Sequence, residues 1–585
     1  MPVAPGAPVR TRMSNVLVIG SGGAGLRAAL AAAEAGVEVT VIGKRTSKDA
    51  HTVLASGGVN AVLGTRDPED SPRQHLVDTM REGYMLSDPR AVEILVEEAP
   101  AAVLELAEWG CDLARTEDGR LDQRFFGAHR YRRTCYAGDY TGRAITETLL
   151  DRTRRLDIPL LDHQYVSTLL VAEGRCFGAF AFDIVTGERT AFLADAVVVA
   201  AGGHTRLWRR SSSRRDENNG DGMHLALRAG CRLADMELVQ FHPTGMVTPE
   251  EMAGTLVTEA VRGEGGRLFN SLGERYMQRY DPERMELSTR DRVALANYVE
   301  IAEGRGGPHG GVFLDITHVG KPTILEKLPR MYRQFIESQM LDISAQPMEV
   351  APTAHYSMGG IVVAPETHAT DVDGLFAAGE VTAGVHGANR LGGNSLAEVL
   401  VFGKRAGAAA ARLARARDTS LHPRRVIAEA DDELDSLVRE GSEFARPLQR
   451  ALRDAMWEHC GVVRDAAGLE RGLERVEEIR SVLDHVDVRP SAEGYDDLAH
   501  VLDLRASLGT AEATLRGAIA RAETRGAHNR SDHPATDPAL EVNFTIAATP
   551  GGLSVEARPT PEAPPGVRRA LEEEPAVGVA GRLLE

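Results

Sequence analysis

Val16-Leu17-Val18-Ile19-Gly20-Ser21-Gly22-Gly23-Ala24-Gly25 decides the fold. Four apolar residues running into glycines read as a buried parallel strand that ends in a tight turn. Ala28, Ala29, Ala32 and Ala33 follow at helical spacing, and Gly36 separates them from a second apolar run over residues 37–42. Strand, glycine turn, helix and strand form the setting in which a G-x-G-x-x-G fingerprint cradles the pyrophosphate of a dinucleotide. Gly20 permits the turn and Gly22 lets backbone N–H groups approach the phosphates. Gly25 with the alanines lets helix and strand pack closely. Strand-like runs recur over 196–201 and 375–378 between helical patterns, so the expected class is α/β with a parallel sheet.

The second strand ends Val41-Ile42-Gly43-Lys44, without the acidic residue that holds an adenosine ribose in NAD sites. Two later segments favour FAD instead. Ala200-Ala201-Gly202-Gly203 closes one strand, and Gly374-Leu375-Phe376-Ala377-Ala378-Gly379-Glu380 closes another with a carboxylate suited to ribityl hydroxyls. From about Ala411 the texture turns to Ala, Arg, Glu and Leu. Leu469, Leu473, Val476 and Ile479, and again Leu504, Leu508, Leu515 and Ile519, fall at helical spacing, which predicts a helical bundle. Beyond Asp537, two alternating stretches flank Thr549-Pro550-Gly551-Gly552 as a hairpin would, and the last two dozen residues read as a mobile Pro- and Glu-rich end. Order is expected from about Met13.

The 585 residues allow about four domains. A net charge of −18 argues against a chain that coats nucleic acid or an anionic membrane, so any anion it binds needs a local basic pocket. Cys111, Cys135, Cys176, Cys231 and Cys460 are scattered, which predicts neither a disulfide framework nor an internal iron–sulfur cluster, and no metal site is expected. No stretch approaches the ~20 apolar residues of a membrane span, and the N-terminus has no signal-like apolar region.

Eight further motifs stand in order along the chain. They are Ala50-His51-Thr52; Ser56-Gly57-Gly58-Val59-Asn60-Ala61; Gly220-Asp221-Gly222; Gln240-Phe241-His242-Pro243-Thr244-Gly245; Thr258-Glu259-Ala260-Val261-Arg262-Gly263-Glu264-Gly265-Gly266; Arg290-Asp291; His355-Tyr356-Ser357-Met358-Gly359-Gly360; and His386-Gly387-Ala388-Asn389-Arg390-Leu391-Gly392-Gly393-Asn394-Ser395-Leu396. With Arg525-Gly526-Ala527-His528 after them, they make the chain resemble the flavoprotein subunit of succinate dehydrogenase and fumarate reductase, with aspartate oxidase as that family's nearest relative. Ser56 stands where the family usually has Gln, and Ala128 follows Phe126-Gly127 where a second Gly is common. The tail after Asp537 departs from the family's usual ending.

The resemblance implies an architecture: a Rossmann-like FAD-binding domain over 13–233 plus 350–410, an inserted α+β capping domain over 234–349, a helical domain over 411–537 and a tail over 538–585. It implies that His242, Thr258, His355, Arg390 and Phe126 bind succinate or fumarate. Arg290 would move the proton, with Glu259 and Arg262 as its relay. It implies FAD held by Gly20, Gly22, Gly23, Ala24, Gly25, Lys44, Thr52, Ser56, Gly57, Gly58, Ala201, Gly202, Asp221, Glu380, Asn394, Ser395 and Leu396. His51 resembles the histidine bonded to the flavin 8α-methyl, which raises the flavin potential enough to oxidise succinate. Asn394 and Ser395 are expected to cap a helix over 396–407. An arginine acid or base, with a pKa above about 12, is tolerable only among neighbouring cations in a dry, closed site. Independently of the resemblance, a dicarboxylate needs fixed cations at both ends, and arginine meets carboxylates bidentately.

Succinate dehydrogenase is therefore the expected function, with fumarate reductase as the reverse reading and aspartate oxidase or a non-catalytic electron-transfer flavoprotein as rivals. His51 speaks against the first rival, and intact Arg290, His242, His355 and Arg390 speak against the second. Lacking both a cysteine cluster and a span, the chain is expected to pass electrons to an iron–sulfur subunit. A membrane anchor subunit would hold the complex, with this chain peripheral on the cytoplasmic side of the inner (plasma) membrane.

Overall fold

A computed structural model describes residues 9–417, 422–491 and 494–573. The strand Arg10–Ile19 lies between Val39–Ile42 and Arg189–Val199, parallel to both, in a seven-stranded sheet. Leu160–Leu161 extends one edge in parallel, and Arg175–Asp183 and Gln164–Ala172 extend the other as an antiparallel pair. Leu375–Ala377 joins the last residues of Arg189–Val199 in parallel. Order begins earlier than expected, at Arg10, because that end of the strand pairs with Thr190 and its neighbours rather than with solvent.

Small residues explain the central layer. The helix Gly23–Glu34 buries Ala28, Ala29 and Ala32 completely and packs on the helix Asn394–Ala416. A Cβ on Gly407 would stand 2.0 Å from the Ala28 carbonyl oxygen, so the helices approach too closely for any side chain there. This helix runs through the expected boundary at 410/411 and stays with the first domain to Ala416. It begins at Asn394 behind Gly393, which is left-handed at φ +86°, and no side chain caps it. The expected cap by Asn394 and Ser395 is thus not formed.

The inserted domain is a four-stranded antiparallel sheet, Val239–Met246, Met348–Ser357, Val312–Asp315 and Arg267–Phe269, over a core of Met246, Val293, Leu314, Met348 and Val350. The chain enters it on Val239–Met246 and leaves on Met348–Ser357. These two strands pair, with Phe241 opposite Ala354 and His242 opposite Thr353. The crossing points between domains are therefore side by side.

Helices Arg424–Leu437, Ala445–His459, Ala466–Ser481 and Asp496–Ala520 share one core with Leu469, Val476, Ile479, Leu504, Leu508 and Leu515 buried in it, as the spacing predicts. The expected hairpin forms as Val542–Thr549 and Gly552–Pro559, and it completes a sheet with Leu233–Ala234 and Gly360–Ile361. The end of the chain is more ordered than its composition implies. Helix Pro565–Glu573 buries Val567 and Ala570 against Leu76, Val77, Met80, Val92 and Val96. The rest of that end, 574–585, lies outside the described residues.

Candidate active site

One continuous cavity runs from the glycine turn to the inserted domain. At its first end Gly20, Gly22, Gly23 and Ala24 line it. Gly20 is left-handed at φ +115°, and a Cβ there would meet the Ala200 carbonyl oxygen at 2.1 Å. Gly22 caps the helix Gly23–Glu34 without a side chain, and a Cβ on it would meet nothing closer than 3.5 Å. The first-turn amides therefore face open space, which is what a pyrophosphate needs. Thr52 fixes the turn by accepting the Gly23 N–H at 3.1 Å.

Lys44 and Asp221 line the same stretch, but they spend their charges on each other. The Lys44 ammonium donates to Asp221 at 2.8 Å and to Asp503 of the helical domain at 3.1 Å. Burial would lower its pKa, yet the two carboxylates outweigh burial and raise it. Ala201 and Gly202 follow along the wall, with Gly202 left-handed at φ +79°. Glu380 is buried, which raises its pKa, and it accepts the Ser357 N–H at 3.0 Å. It offers the cavity one free oxygen or a protonated one.

His51 faces the middle of the cavity and is bonded through Nδ1 to Glu217 at 3.0 Å. Burial opposes its protonation, but the Glu217 bond and charge outweigh it and raise the His51 pKa. Gly57 leaves room for Phe126, whose ring would be 3.1 Å from a Cβ. Gly58, at φ +153°, stands against the Cys135 carbonyl oxygen. Ser56 accepts a hydrogen bond at 3.0 Å from Arg330 of the inserted domain. Ala128 takes a left-handed φ of +67°, where glycine would be unstrained, at a cost of roughly 1–2 kcal/mol.

Ser395 and Leu396 line the wall where the uncapped first turn of Asn394–Ala416 opens toward the cavity. Asn394 does not line it. Its side chain is buried among Asn60, His75 and Thr79 at 2.7, 2.8 and 2.9 Å, so it fixes the loop rather than meeting a ligand by its amide. Gly25 is also outside the wall, since a Cβ there would strike the Gly20 carbonyl oxygen at 1.8 Å. Its part is packing.

At the far end the cavity is lined by His242, Thr258, Glu259, Arg290, His355 and Arg390. The pairing of the two crossing strands sets the imidazoles of His242 and His355 edge to face, 5.2 Å apart. Both are pushed well below the usual histidine range, first by burial and then by neighbouring charges, so both are neutral at pH 7. His242 Nδ1 lies 3.2 Å from the Thr244 carbonyl oxygen, and His355 Nδ1 lies 2.9 Å from Ser212 Oγ. Arg290 Nε donates to Glu259 at 2.8 Å. Burial would raise the Glu259 pKa, but Arg290 and Arg262 outweigh it and hold the carboxyl at about 2. Arg262 lies behind Glu259, off the cavity wall, with its Nη2 3.7 Å from the carboxylate. Its Nη1 donates to the Glu286 carbonyl at 2.6 Å.

Two residues without an expected role organise the cavity, Gln240 at this end and Glu217 beside His51. Gln240 Oε1 accepts from Arg290 at 3.1 Å and from Arg390 at 2.9 Å, while its amide donates to Asn389 at 2.8 Å and to the Arg390 carbonyl at 2.9 Å. It opens the 240–245 motif, but no periodicity or charge marks it. Glu217 sits in an arginine-rich stretch, where an acid reads as a surface partner. Arg390 lies over the Tyr356 ring at 4.3 Å, donates to Ser395 at 3.1 Å, and keeps a buried Nε without an acceptor. Burial, then Arg290, lowers its pKa to about 9.

These walls fit a flavin dinucleotide with a small dianion beside it. Two helix starts without an N-cap side chain border the cavity, the glycine turn leaves room for phosphates, and Arg390 Nε keeps no acceptor.

The family description "FAD binding domain" matches residues 15–396, and "Fumarate reductase flavoprotein C-term" matches 449–568. A chain of the fumarate reductase (CoM/CoB) of Methanothermobacter marburgensis is 46% identical over 526 residues, covering 90% of this chain and 95% of that one. The succinate dehydrogenase flavoprotein subunit of Rickettsia bellii is 37% identical, covering 89% and 90%. In structure, the FrdA chain of a mutant E. coli quinol fumarate reductase superposes with a TM-score of 0.90 at 33% identity, over 97% of this chain and all of that one. The chain binds FAD and belongs to the succinate dehydrogenase and fumarate reductase flavoprotein family of oxidoreductases.

Proposed function

We propose that this protein oxidises succinate to fumarate, with its FAD bonded to His51 and its electrons passed to an iron–sulfur subunit that a membrane anchor subunit holds. The observation that carries the substrate is charge. Arg290 and Arg390 stand at one end of the cavity with a single ionised carboxylate, Glu259, in reach, and Arg390 has no ion pair among the described residues. A buried cation of this kind is costly unless an anion arrives to match it. Succinate or fumarate supplies two carboxylates, for which Arg390, Thr258 and the neutral imidazoles of His242 and His355 offer donors. Phe126 packs against Gly57 at the cavity wall and excludes water there.

Bound FAD supplies the two-electron acceptor. The residues do the rest. Clamping both carboxylates orients the central carbons, which converts binding into alignment. Arg290 takes the proton from the carbon next to the one that loses hydride. Glu259, ionised between Arg290 and Arg262, passes the proton outward by way of Arg262, whose Nη2 is 3.7 Å away. Arg330 ties the cap to the flavin domain by donating to Ser56 and, through its backbone N–H, to Asp139 at 3.1 Å.

The reverse reaction, fumarate reduction, uses the same residues in the opposite order, and the 46% identity to a fumarate reductase chain favours it as the second reading. No helix of the described residues is long and apolar enough to cross a membrane, and we place the chain peripherally, on the cytoplasmic side, reached through partners. The deciding experiment measures both directions on the purified complex, with an artificial acceptor and succinate, then with a reduced dye and fumarate. Succinate oxidation is expected to be faster. A fumarate rate tenfold higher assigns the reverse direction, and activity toward neither overturns the substrate.

A further inference from the structure

We infer that Glu217 sets His51 for its bond to the flavin, by accepting the Nδ1–H and leaving Nε2 as the nucleophile that faces the cavity. This rests on the proposed bond at His51. The geometry is specific. An imidazole has two ring nitrogens, and the hydrogen bond on one decides what the other can do. His51 Nδ1 is held by Glu217 Oε1 at 3.0 Å. The same oxygen accepts the Arg214 backbone N–H at 2.7 Å, which fixes the carboxylate on its own loop. Its second oxygen, Oε2, is buried with no partner and stays open to accept a proton.

The groups facing His51 come from three elements: Glu217 and Arg214 on the 214–217 loop, Glu380 after strand Leu375–Ala377, and His355 on Met348–Ser357. Of these, Glu217 alone is bonded to the imidazole. Glu380 spends one oxygen on the Ser357 N–H, and Arg214 is turned to Asp49. Glu217 thus orients the ring and stabilises the imidazolium, as a buried carboxylate does for a catalytic histidine, and takes the Nδ1 proton only once Nε2 is alkylated.

The attachment balances. Nε2 forms a bond to the C8 methyl carbon, and that carbon loses one hydrogen as a proton. Its C–H electron pair moves into the flavin ring, and the imidazole releases its Nδ1 proton to Glu217. Two electrons thereby reach the ring and two protons are released, one from the methyl carbon and one to Glu217, and fumarate, the oxidant of the family's own reaction, takes up both electrons and both protons.

The test uses the full chain, freed of flavin and given FAD and fumarate, with covalent attachment followed as fluorescence of the denatured gel band. Glu217→Gln keeps an oxygen near Nδ1 but loses the charge. We expect Glu217→Gln to bind FAD yet to attach it ~10²-fold or more slowly. Its rate should climb about tenfold per pH unit as hydroxide replaces the base, whereas the wild-type rate levels off. Glu217→Asp should recover part of the rate. A fluorescent wild type with Glu217→Gln attaching equally fast, or with the same pH profile, overturns the role of Glu217 alone. A wild type whose denatured band is dark removes the bond at His51 and this inference with it. A Glu217→Gln chain that takes up no FAD makes Glu217 a binding residue and overturns positioning.

Discussion

Replacing Gln240 by glutamate places one negative charge between the two arginines proposed to hold the substrate, with almost no change of shape. The acceptor atom is 3.1 Å from Arg290 Nη1 and 2.9 Å from Arg390 Nη2. A substrate carboxylate bonded to the other side of either guanidinium lies one further hydrogen bond away, so the two charges are separated by about 6 Å. At an effective dielectric constant of about 20, their repulsion is about 2.8 kcal/mol, or ~100-fold in affinity. KM for succinate should rise by that factor in a dye-reduction assay. The Kd of a non-oxidisable dicarboxylate such as malonate, read from flavin absorbance, should rise in parallel, because the loss is one of binding. Gln240→Met removes the same hydrogen bonds without adding charge, and should raise KM by under tenfold. If Gln240→Glu retains FAD and shows KM and Kd within threefold of wild type, the two guanidiniums do not hold the substrate.

Other expectations are more direct. Arg290→Gln should keep FAD but lose roughly 10²–10⁴-fold of turnover, and turnover within a few-fold of wild type would remove Arg290 from proton transfer. Gly407→Ala forces a methyl to 2.0 Å from the Ala28 carbonyl and should lower Tm and FAD retention together, whereas an unchanged Tm would mean the helix pair can part freely. Burial lowers the pKa of His129 to about 3 and those of His204 and His368 to about 4. Each therefore binds fewer protons folded than unfolded below its unfolded pKa of about 6.5, and stability falls as pH falls from there, by about 1 kcal/mol per residue between pH 6.5 and 5.5. Thermal melting should show Tm dropping across that window, and a flat Tm from pH 7 to 5.5 would contradict neutral burial.

The sequence makes the flavin end legible because backbone sterics write it directly. A turn at φ +115° where any Cβ would fall 2.1 Å from a carbonyl oxygen admits only glycine, and the spacing of Gly20, Gly22 and Gly25 records it. The helical bundle is legible for a similar reason, since burial repeats with the period of the helix. Asn394 shows where this reading stops. Its place beside a flavin-wall motif implied a ligand, but three buried polar neighbours claim its side chain, and such three-dimensional partners leave no mark in spacing. Helix Pro565–Glu573 was hidden by composition, because two apolar residues sufficed to dock it on a surface that sequence could not foresee.

Gln240 and Glu217 were missed for a shared physical reason. Each acts by satisfying another residue's polar atoms, and that role depends on segments that meet although far apart in sequence. Gln240 faces Arg290 and Arg390 where the pairing of the two crossing strands shifts register, with His355 of Met348–Ser357 as the extra residue opposite Gln240 and Phe241, while Phe241 is buried in the core. The same pair of crossing strands brings His242 and His355 together. The inserted domain cannot shift on the flavin domain without moving these strands, so substrate charge and domain position are mechanically one variable. Arg330 adds the second point of attachment, reaching Ser56 from the opposite side of the cavity. On the proposed function, a dianion held by Arg390 and the imidazoles would bridge the two domains and displace water from Glu259 and its two arginines. Binding and loss of water would then be coupled, as the proposed proton transfer at Arg290 requires.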